Sequence, residues 1–577
     1  MRNRRLVISA AVIVAASVGF IPGIAQAAGP DAPATLGKQG THGTSIPDVD
    51  LSKSGSANFK TFTSPADRTV RRALPQAKGG KAAAATPQAD AQATPQAETQ
   101  AAAGNPDLSI LLNAASKTAH GLDLTTTITS APASLSVTVE WGDGTKDVVS
   151  ASGSAVLNQK HTYAELGEYT VRVTVTDAAN QAEVVNDFPI MTAGSDFTPH
   201  TPTRLLDTRE GIGAQKAKVA GFGTTKVKIA GNAQIPAGVT AVALNVTVTN
   251  PATAGHIRVY GSGGPRPTTS NVNFAAGQTV PNMVIVPVGK DGSVELYNSG
   301  EGSVDLIADV TGYFTRTKSS GYTPLNPARL VDSREGLGTS KGLVPGFGTF
   351  TAQMSGLGGV PAGATAVALN VTITEPQAAG HLTVYPAGQA ASSTSNLNFS
   401  GGQTIANAVI VPVSADGKIN VRNGSWAGTH VIVDVVGYYS PGSTSAYMPV
   451  TPERLLDTRG DENWNSGPLL GFEYLYMPLS TRNPDITGFA LNSTVTNTTD
   501  HGHLSVAPDP NTREQYQNGT AVSPPVPNSS TLNWTPGKTV PNLVQASTGK
   551  NGIIDFFNWS PGNTDVIVDV FGYYDKG

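Results

Sequence analysis

Ala241-Val-Ala-Leu-Asn-Val-Thr-Val-Thr249 decides the fold class. Val242, Leu244, Val246 and Val248 fall on one face of an extended chain, and alternation with a period of two marks a strand rather than a helix. The stretch returns as Ala366-Val-Ala-Leu-Asn-Val-Thr-Ile-Thr374, with Val367, Leu369, Val371 and Ile373 in step. It returns again around Phe489, Leu491, Ser493 and Val495, a weaker core edge. The opposite face carries Asn245, Asn370 and Asn492, each in an Asn-x-Thr sequon. The preferred reading is an asparagine that ties two strands together; a sequon matters only in a host that glycosylates it.

Working outward, more of the chain repeats. Arg204-Leu-Leu-Asp-Thr-Arg209 recurs as Arg329-Leu-Val-Asp-Ser-Arg334 and Arg454-Leu-Leu-Asp-Thr-Arg459, 125 residues apart each time. Gly255-His256 recurs as Gly380-His381 and Gly502-His503. Ser270-Asn-Val-Asn-Phe274 recurs as Ser395-Asn-Leu-Asn-Phe399 and, altered, as Ser530-Thr-Leu-Asn-Trp534. Each copy closes on an apolar strand: Asp309-Val-Thr-Gly-Tyr-Phe314, Asp434-Val-Val-Gly-Tyr-Tyr439 and Asp569-Val-Phe-Gly-Tyr-Tyr574. The copies span 197–316, 322–440 and 446–575. In the first, strand patterns fall near 203–208, 224–230, 239–249, 256–260, 270–274, 283–288, 293–298 and 304–311. A unit of this length can bury its own core, so each copy is expected to fold independently as a β-sandwich or β-barrel. Repetition argues for an array of modules showing similar surfaces.

Ahead of the copies, residues 107–192 alternate in the same way, in Leu135-Ser-Val-Thr-Val-Glu-Trp141 and Tyr169-Thr-Val-Arg-Val-Thr-Val175. Trp141-Gly-Asp-Gly144, His161-Thr-Tyr163 and the run from Gly167 to Asp177 make this segment resemble a PKD domain. The resemblance implies a small immunoglobulin-like sandwich acting as a spacer or interaction domain. The three copies resemble an uncharacterised β-module of secreted actinobacterial proteins. They do so on Pro202–Arg209 and Pro452–Arg459, on Pro236–Thr247 and Pro361–Thr372, and on the closing Asp-Val-x-Gly-Tyr. That resemblance implies an extracellular, appended module with no settled activity. The fold expected is therefore all-β and multidomain.

The first 27 residues read as a secretory signal: Arg2, Arg4 and Arg5, an apolar run from Leu6 to Ile24, then Ala25-Gln26-Ala27 for cleavage. An uncleaved anchor is the alternative. Residues 28–104 read as a disordered Ala/Pro/Gln-rich linker, since the stretch from Pro75 to Gly104 has no large apolar residue to bury. Arg71-Arg72 within the linker is a candidate nicking site. The chain has no cysteine, which excludes disulfides and thiolate chemistry. Only 14% of residues are charged and the net charge is −4, so no basic surface for nucleic acid is visible.

No catalytic motif stands out, and no cofactor or metal is expected. The Arg and Asp residues of the signature (Arg204, Asp207, Arg209; Arg329, Asp332, Arg334; Arg454, Asp457, Arg459) are read as structural. One arginine of each set would pair with the closing Asp309, Asp434 or Asp569 and fasten the first strand to the last. In a regular strand Asp207 and Arg209 would share a face and Arg204 would point away. His256, His381 and His503 are read as turn histidines, and Asp143 as a turn residue before a calcium ligand. The third copy gathers aromatics, and Trp464, Trp559, Tyr474 and Tyr476 are the candidates for stacking on sugar. The function expected is a secreted surface interaction or adhesion protein whose partner is a polysaccharide or a surface protein. It needs no membrane span after signal cleavage. A secreted carbohydrate-active hydrolase or its accessory subunit, and a structural stalk, are the alternatives.

Overall fold

The computed structural model describes residues 41–43, 59–74, 104–460 and 467–577. The signal, most of the expected linker and Trp464 lie outside them. Among the described residues the chain is all-β, apart from a single turn of 3-10 helix at Ala66–Arg68 and a short helix at Arg513–Gln517. Its strands form eight sheets.

The first module is a sandwich of two sheets around Trp141, Tyr163, Val173 and Val175. It reaches further back along the chain than the sequence suggests. Lys60–Ser64 and Val70–Ala73, both inside the expected linker, each add an edge strand to one of the sheets. Three features hold them there. Phe62 packs against the sandwich core. The buried Ser64 hydroxyl bonds to Asn186. Arg71 donates to the carbonyls of Asn105 and Leu108, at 2.8 and 2.7 Å. Arg71 is thus part of a strand, and the linker boundary at 104 is corrected for these residues. Thr41–Gly43 also pairs, in parallel, with Tyr474–Tyr476 of the third repeat.

Each repeat carries eight strands, which in the first are Asp196–Asp207, Thr224–Lys228, Ala241–Thr249, Gly255–Gly261, Val272–Phe274, Val280–Pro287, Ser293–Asn298 and Asp305–Thr315. Counted along the chain, one sheet runs one–eight–three–six and the other two–seven–four–five. That order is a jelly roll. The other two repeats have the same order. Each has its own core between its sheets; in the first, Val242, Leu244, Val246 and Val248 meet Val227, Val259 and Leu296.

The repeats are not the independent units that the sequence led us to expect. Their one–eight–three–six sheets are buried on both faces, because the second face turns toward a shared core. Ala241, Ala243, Met283 and Phe314 of the first repeat meet Ala366, Ala368, Ile410 and Tyr439 of the second and Ala490, Leu543 and Tyr574 of the third. The contacts run in a cycle. Backbone bridges join Phe197 to Ser320, Tyr322 to Ser445, and Tyr447 back to Ser195. Asn407 donates to Asn245 at 3.1 Å, Asn542 to Asn370 at 3.0 Å, and Asn282 to Asn492 at 2.9 Å. Asn245, Asn370 and Asn492 in turn donate to the carbonyls of Ser395, Ser530 and Ser270, always in another repeat. The sequon asparagines therefore tie repeats together rather than strands, and all three are buried. The three jelly rolls close into one ring of pseudo-threefold symmetry.

The first module docks on this ring where the third repeat ends. Ala119 donates to Asp575 at 3.0 Å and His120 to the Gly577 carbonyl at 2.7 Å. Ala119, Leu166 and Ala193 join the core of the third repeat. Gly194 sits where a Cβ would lie 2.8 Å from the side chains of both Ala119 and Ala446, so only glycine fits.

Candidate functional site

The signature arginines and aspartates converge in each repeat. Arg204 Nε lies 2.9 Å from Asp309 Oδ1, and its Nη1 lies 3.1 Å from Asp207 Oδ2. Arg209 grips Asp207 from the other side, at 2.9 and 2.7 Å. Arg329, Asp332, Arg334 and Asp434 repeat the pattern, as do Arg454, Asp457, Arg459 and Asp569. Arg204 shares a side with Asp207, against the expectation for a regular strand. The register shifts between Arg204 and Leu206, and this bulge turns Asp207 onto the side of Arg204.

The closing aspartates are buried. Burial pushes Asp434 up to about 6 against the pull of Arg329. Asp309 and Asp569 move the same way for the same reason. Asp207, bonded by Arg209, is held below the ordinary carboxylate range. The clusters also face the neighbouring repeat: Arg204 donates to the Ser393 carbonyl at 3.4 Å, and Ser270 N to Asp569 at 3.4 Å. This geometry fastens strands and repeats and leaves little of the carboxylates for a ligand.

The histidines are built in as well. Burial, with Arg258 and Arg454 nearby, lowers His256 to about 4, and Arg258 bonds its ring at 3.2 Å. Burial lowers His381 too. His503 lies against Trp559, with ring centres 6.1 Å apart. In the first module Asp143 accepts from Thr145 N at 3.0 Å and faces His161 at 2.8 Å. Burial raises this carboxyl, but the Thr145 and His161 bonds outweigh it and bring it to about 2. Among the described residues no three His, Asp or Glu side chains group as a metal site would require.

The aromatic candidates of the third repeat are mostly covered. Trp559 is 8% exposed, and Tyr474 packs with it and with Phe557. Tyr476 stacks on Tyr516 of the inserted helix at 3.6 Å. Burial follows because these side chains lie on the outer sheet, where the insertion after Pro508 folds back over them. Beneath this cover lie Asp509 and Asp555. Asp509 accepts from Asn511 N at 2.5 Å, from Asn511 Nδ2 at 2.9 Å and from the Tyr516 hydroxyl. Asp555 is fully buried, has no donor among the described residues, and is raised well above 3.8 by burial and by Asp509. Both carboxyls are buried. Neither is open to a sugar bond, so the pair does not serve glycoside hydrolysis.

The exposed aromatics are elsewhere. Phe222 and Phe347 are each 61% exposed and Phe472 47%. They occupy one equivalent turn in the three repeats: Gly221-Phe222-Gly223, Gly346-Phe347-Gly348 and Gly471-Phe472-Glu473. All three have left-handed backbone, φ 56, 57 and 59°. That conformation costs a bulky residue about 1–3 kcal/mol. The turn is held by backbone bonds from Phe222 N to Gly300 O, Phe347 N to Ser425 O and Phe472 N to Ser560 O. Buried Asn298, Asn423 and Asn558 pin it from below, donating to the carbonyls of Ala220, Pro345 and Leu470 at 3.0, 3.1 and 2.9 Å. A Cβ at Gly221, Gly346 or Gly471 would strike the carbonyl of Glu301, Trp426 or Pro561 in the facing loop. Trp426 itself is 74% exposed. The sequence signal was present: a phenylalanine preceded by glycine that returns every 125 residues.

Comparison with known proteins matches residues 105–191 to the PKD domain family. No curated protein matches the chain. Solved structures with some likeness include a carbohydrate-binding module of the β-sandwich superfamily, 12% identical over 33% of this chain and 91% of its own, TM-score 0.14. An archaeal virus protein with a triple jelly roll fold is 9% identical over 66% of this chain and 89% of its own, TM-score 0.14. A tandem repeat from the extending region of a large adhesion protein is 11% identical over 80% of this chain and 97% of its own, TM-score 0.11.

Proposed function

We propose that this chain is a secreted, non-enzymatic surface interaction protein that binds polysaccharide at several points at once. The observation that carries the reading is the ring. Three jelly rolls are locked in one orientation, so each presents the same loop end. That end lies opposite the one where the opening strands meet and the PKD module docks. Such rigid repetition suits a long polymer with repeating units, because linked weak sites gain from one another. The PKD module and whatever precedes it serve as a spacer. The leader sequence supports export, and no helix among the described residues is long and apolar enough to cross a membrane.

The test is a glycan array together with a hydrolase screen on the full chain. Retention of one or more polysaccharides without release of reducing sugar is the expected outcome. Turnover would favour the hydrolase reading, and neither binding nor turnover would leave a stalk.

A further inference from the structure

The Gly-Phe turns show where a glycan would be gripped. Resting on the proposed function, we infer that Phe222, Phe347 and Phe472 are the sugar-stacking residues of this chain, one for each jelly roll, with Trp426 widening the second platform. Three features support this. First, the fold makes little use of a ring at these places: Phe222 and Phe347 stand out in solvent, Phe472 meets the edge of Trp559 at 6.3 Å yet stays 47% exposed, and the backbone beneath all three is fixed by Asn298, Asn423 and Asn558. Second, the backbone there is the left-handed conformation that glycine or asparagine adopts with ease, yet each repeat holds phenylalanine. An unfavourable residue present at all three tips, where better ones exist, points to a use for the ring. Third, the tip is preorganised, so little ordering is needed when a ligand arrives.

The ligand chemistry follows from the surroundings. A flat ring offers dispersion contact and attraction to the C–H face of a pyranose. The facing loop in the first repeat carries the exposed Glu301, and the chain has a net charge of −4. Both disfavour insertion into an anionic bilayer, which exposed phenylalanines alone would also fit. The occupant is therefore a polysaccharide with accessible pyranose faces. The jelly rolls being rigidly joined, one chain of it or neighbouring chains in a wall can meet more than one tip.

The experiment is native affinity electrophoresis of the full chain through xylan, laminarin, arabinogalactan and glycol chitin. The parent is compared with Phe222→Asn, Phe347→Asn, Phe472→Asn and the triple variant. Asparagine tolerates the left-handed turn, so the variants should melt at or above the parent temperature. Each single variant should weaken binding about 3–10-fold, the worth of one stacked ring. The triple variant should lose at least about 100-fold, since linked sites fail together. A parent retarded by a polysaccharide and a triple variant retarded equally would overturn the role of the tips and leave the proposed function standing. A triple variant melting several degrees lower would show the rings to be structural, and the inference would fall. A parent retarded by none of the four, on gels that retard a carbohydrate-binding control, overturns the proposed function and the tips with it. Binding of the parent to phosphatidylglycerol vesicles, lost in the triple variant, would move the tips from sugar to membrane.

Discussion

The two sheets of each jelly roll differ in what surrounds them and in how the three copies compare. In the inner sheet, the one facing the axis, the three copies share their chemistry at several positions, although Ile285 and Ile410 give way to Gln545 in the third. Ala243, Ala368 and Ala490 occupy one position, Asn245, Asn370 and Asn492 another, and each closing strand brings one buried aspartate to one arginine. In the outer sheet the same position is Glu295, Asn420 or Asp555. Glu295 accepts from Ser262 at 3.0 Å and faces Lys226. Asn420 accepts from Thr351 at 2.7 Å. Asp555 is buried under an insertion that the other two lack. The difference follows from closure. A residue on the axis is seen by two neighbours, so a change in one copy must fit both, whereas most of the outer sheet faces its own core on one side and solvent on the other. What repeats inside is assembly. What repeats outside, at the Phe222, Phe347 and Phe472 tips, is then the part with another reason to persist.

The largest effect should come from removing the inner sheet's neighbours. An isolated second repeat, residues 322–440, would expose Ala366, Ala368, Ile410, Tyr439 and Asn407 to water. It should self-associate, with trimers rebuilding the cycle, and its melting temperature should rise with concentration. Sedimentation and concentration-dependent melting check this. A monomer that melts at one temperature at all concentrations would break the comparison, because the inner face would then not need its partners.

Next comes the signature. Asp434→Ala in the full chain strands Arg329 in a buried setting, and losing one member of such a pair costs about 3–5 kcal/mol. Arg329→Ala should be comparably harmful, and the double variant no worse than the worse single. Thermal unfolding of the three variants reads this directly. Additive losses would mean that Arg329 and Asp434 act through different partners.

These expectations also show how far the sequence could be read. All eight strands of the first repeat were legible, because apolar alternation and Gly- or Pro-rich turns are local signals, although Asp196–Asp207 begins well before the expected 203 and Asp305–Thr315 runs past the expected 311. The pairing of a signature arginine with Asp309 was legible, because a buried aspartate in an apolar strand demands a cation, but which of Arg204 and Arg209 supplies it was not. The ring was not. A strand such as Ala241–Thr249 carries large apolar groups on one face and small or polar ones on the other, which reads as one buried and one wet face. Alanine and asparagine suit close packing between repeats equally well, and alternation cannot tell the two apart. Lys60–Ser64 was missed because one phenylalanine in a polar stretch is too little pattern; only the open edge of a folded sheet gives it a place. The exposed rings were misplaced for a related reason. Trp559 and Tyr474 drew attention as large rings, but exposure is decided by what folds over them, and Phe222 drew none.

The smallest effect sharpens the outer half of the comparison. Asp555 has a folded pKa well above its unfolded 3.8, from burial first and the nearby Asp509 second. A group raised in this way adds stability that is full below the unfolded value and is lost as pH rises through the folded one. The groups facing it are Asp509, already bonded by Asn511 and Tyr516, and the hydroxyls of Tyr516 and Tyr474, so no cation is at hand to hold a second negative charge. Asp555→Asn replaces the titrating proton with an amide that donates to Asp509 at every pH. The variant should come nearest the parent below about pH 4 and gain on it progressively as the pH rises toward 8, by at least about 1 kcal/mol, the scale of one buried hydrogen bond. Asp434 and Asp575, each pushed up to about 6 by burial, give the parent a slope of their own, so the gap between the two melting curves is the readout. Parallel curves across that range would mean that Asp555 gains no proton on folding and that the insertion is fastened without it, by the Tyr476–Tyr516 stack and the bonds of Asp509 and Asn511.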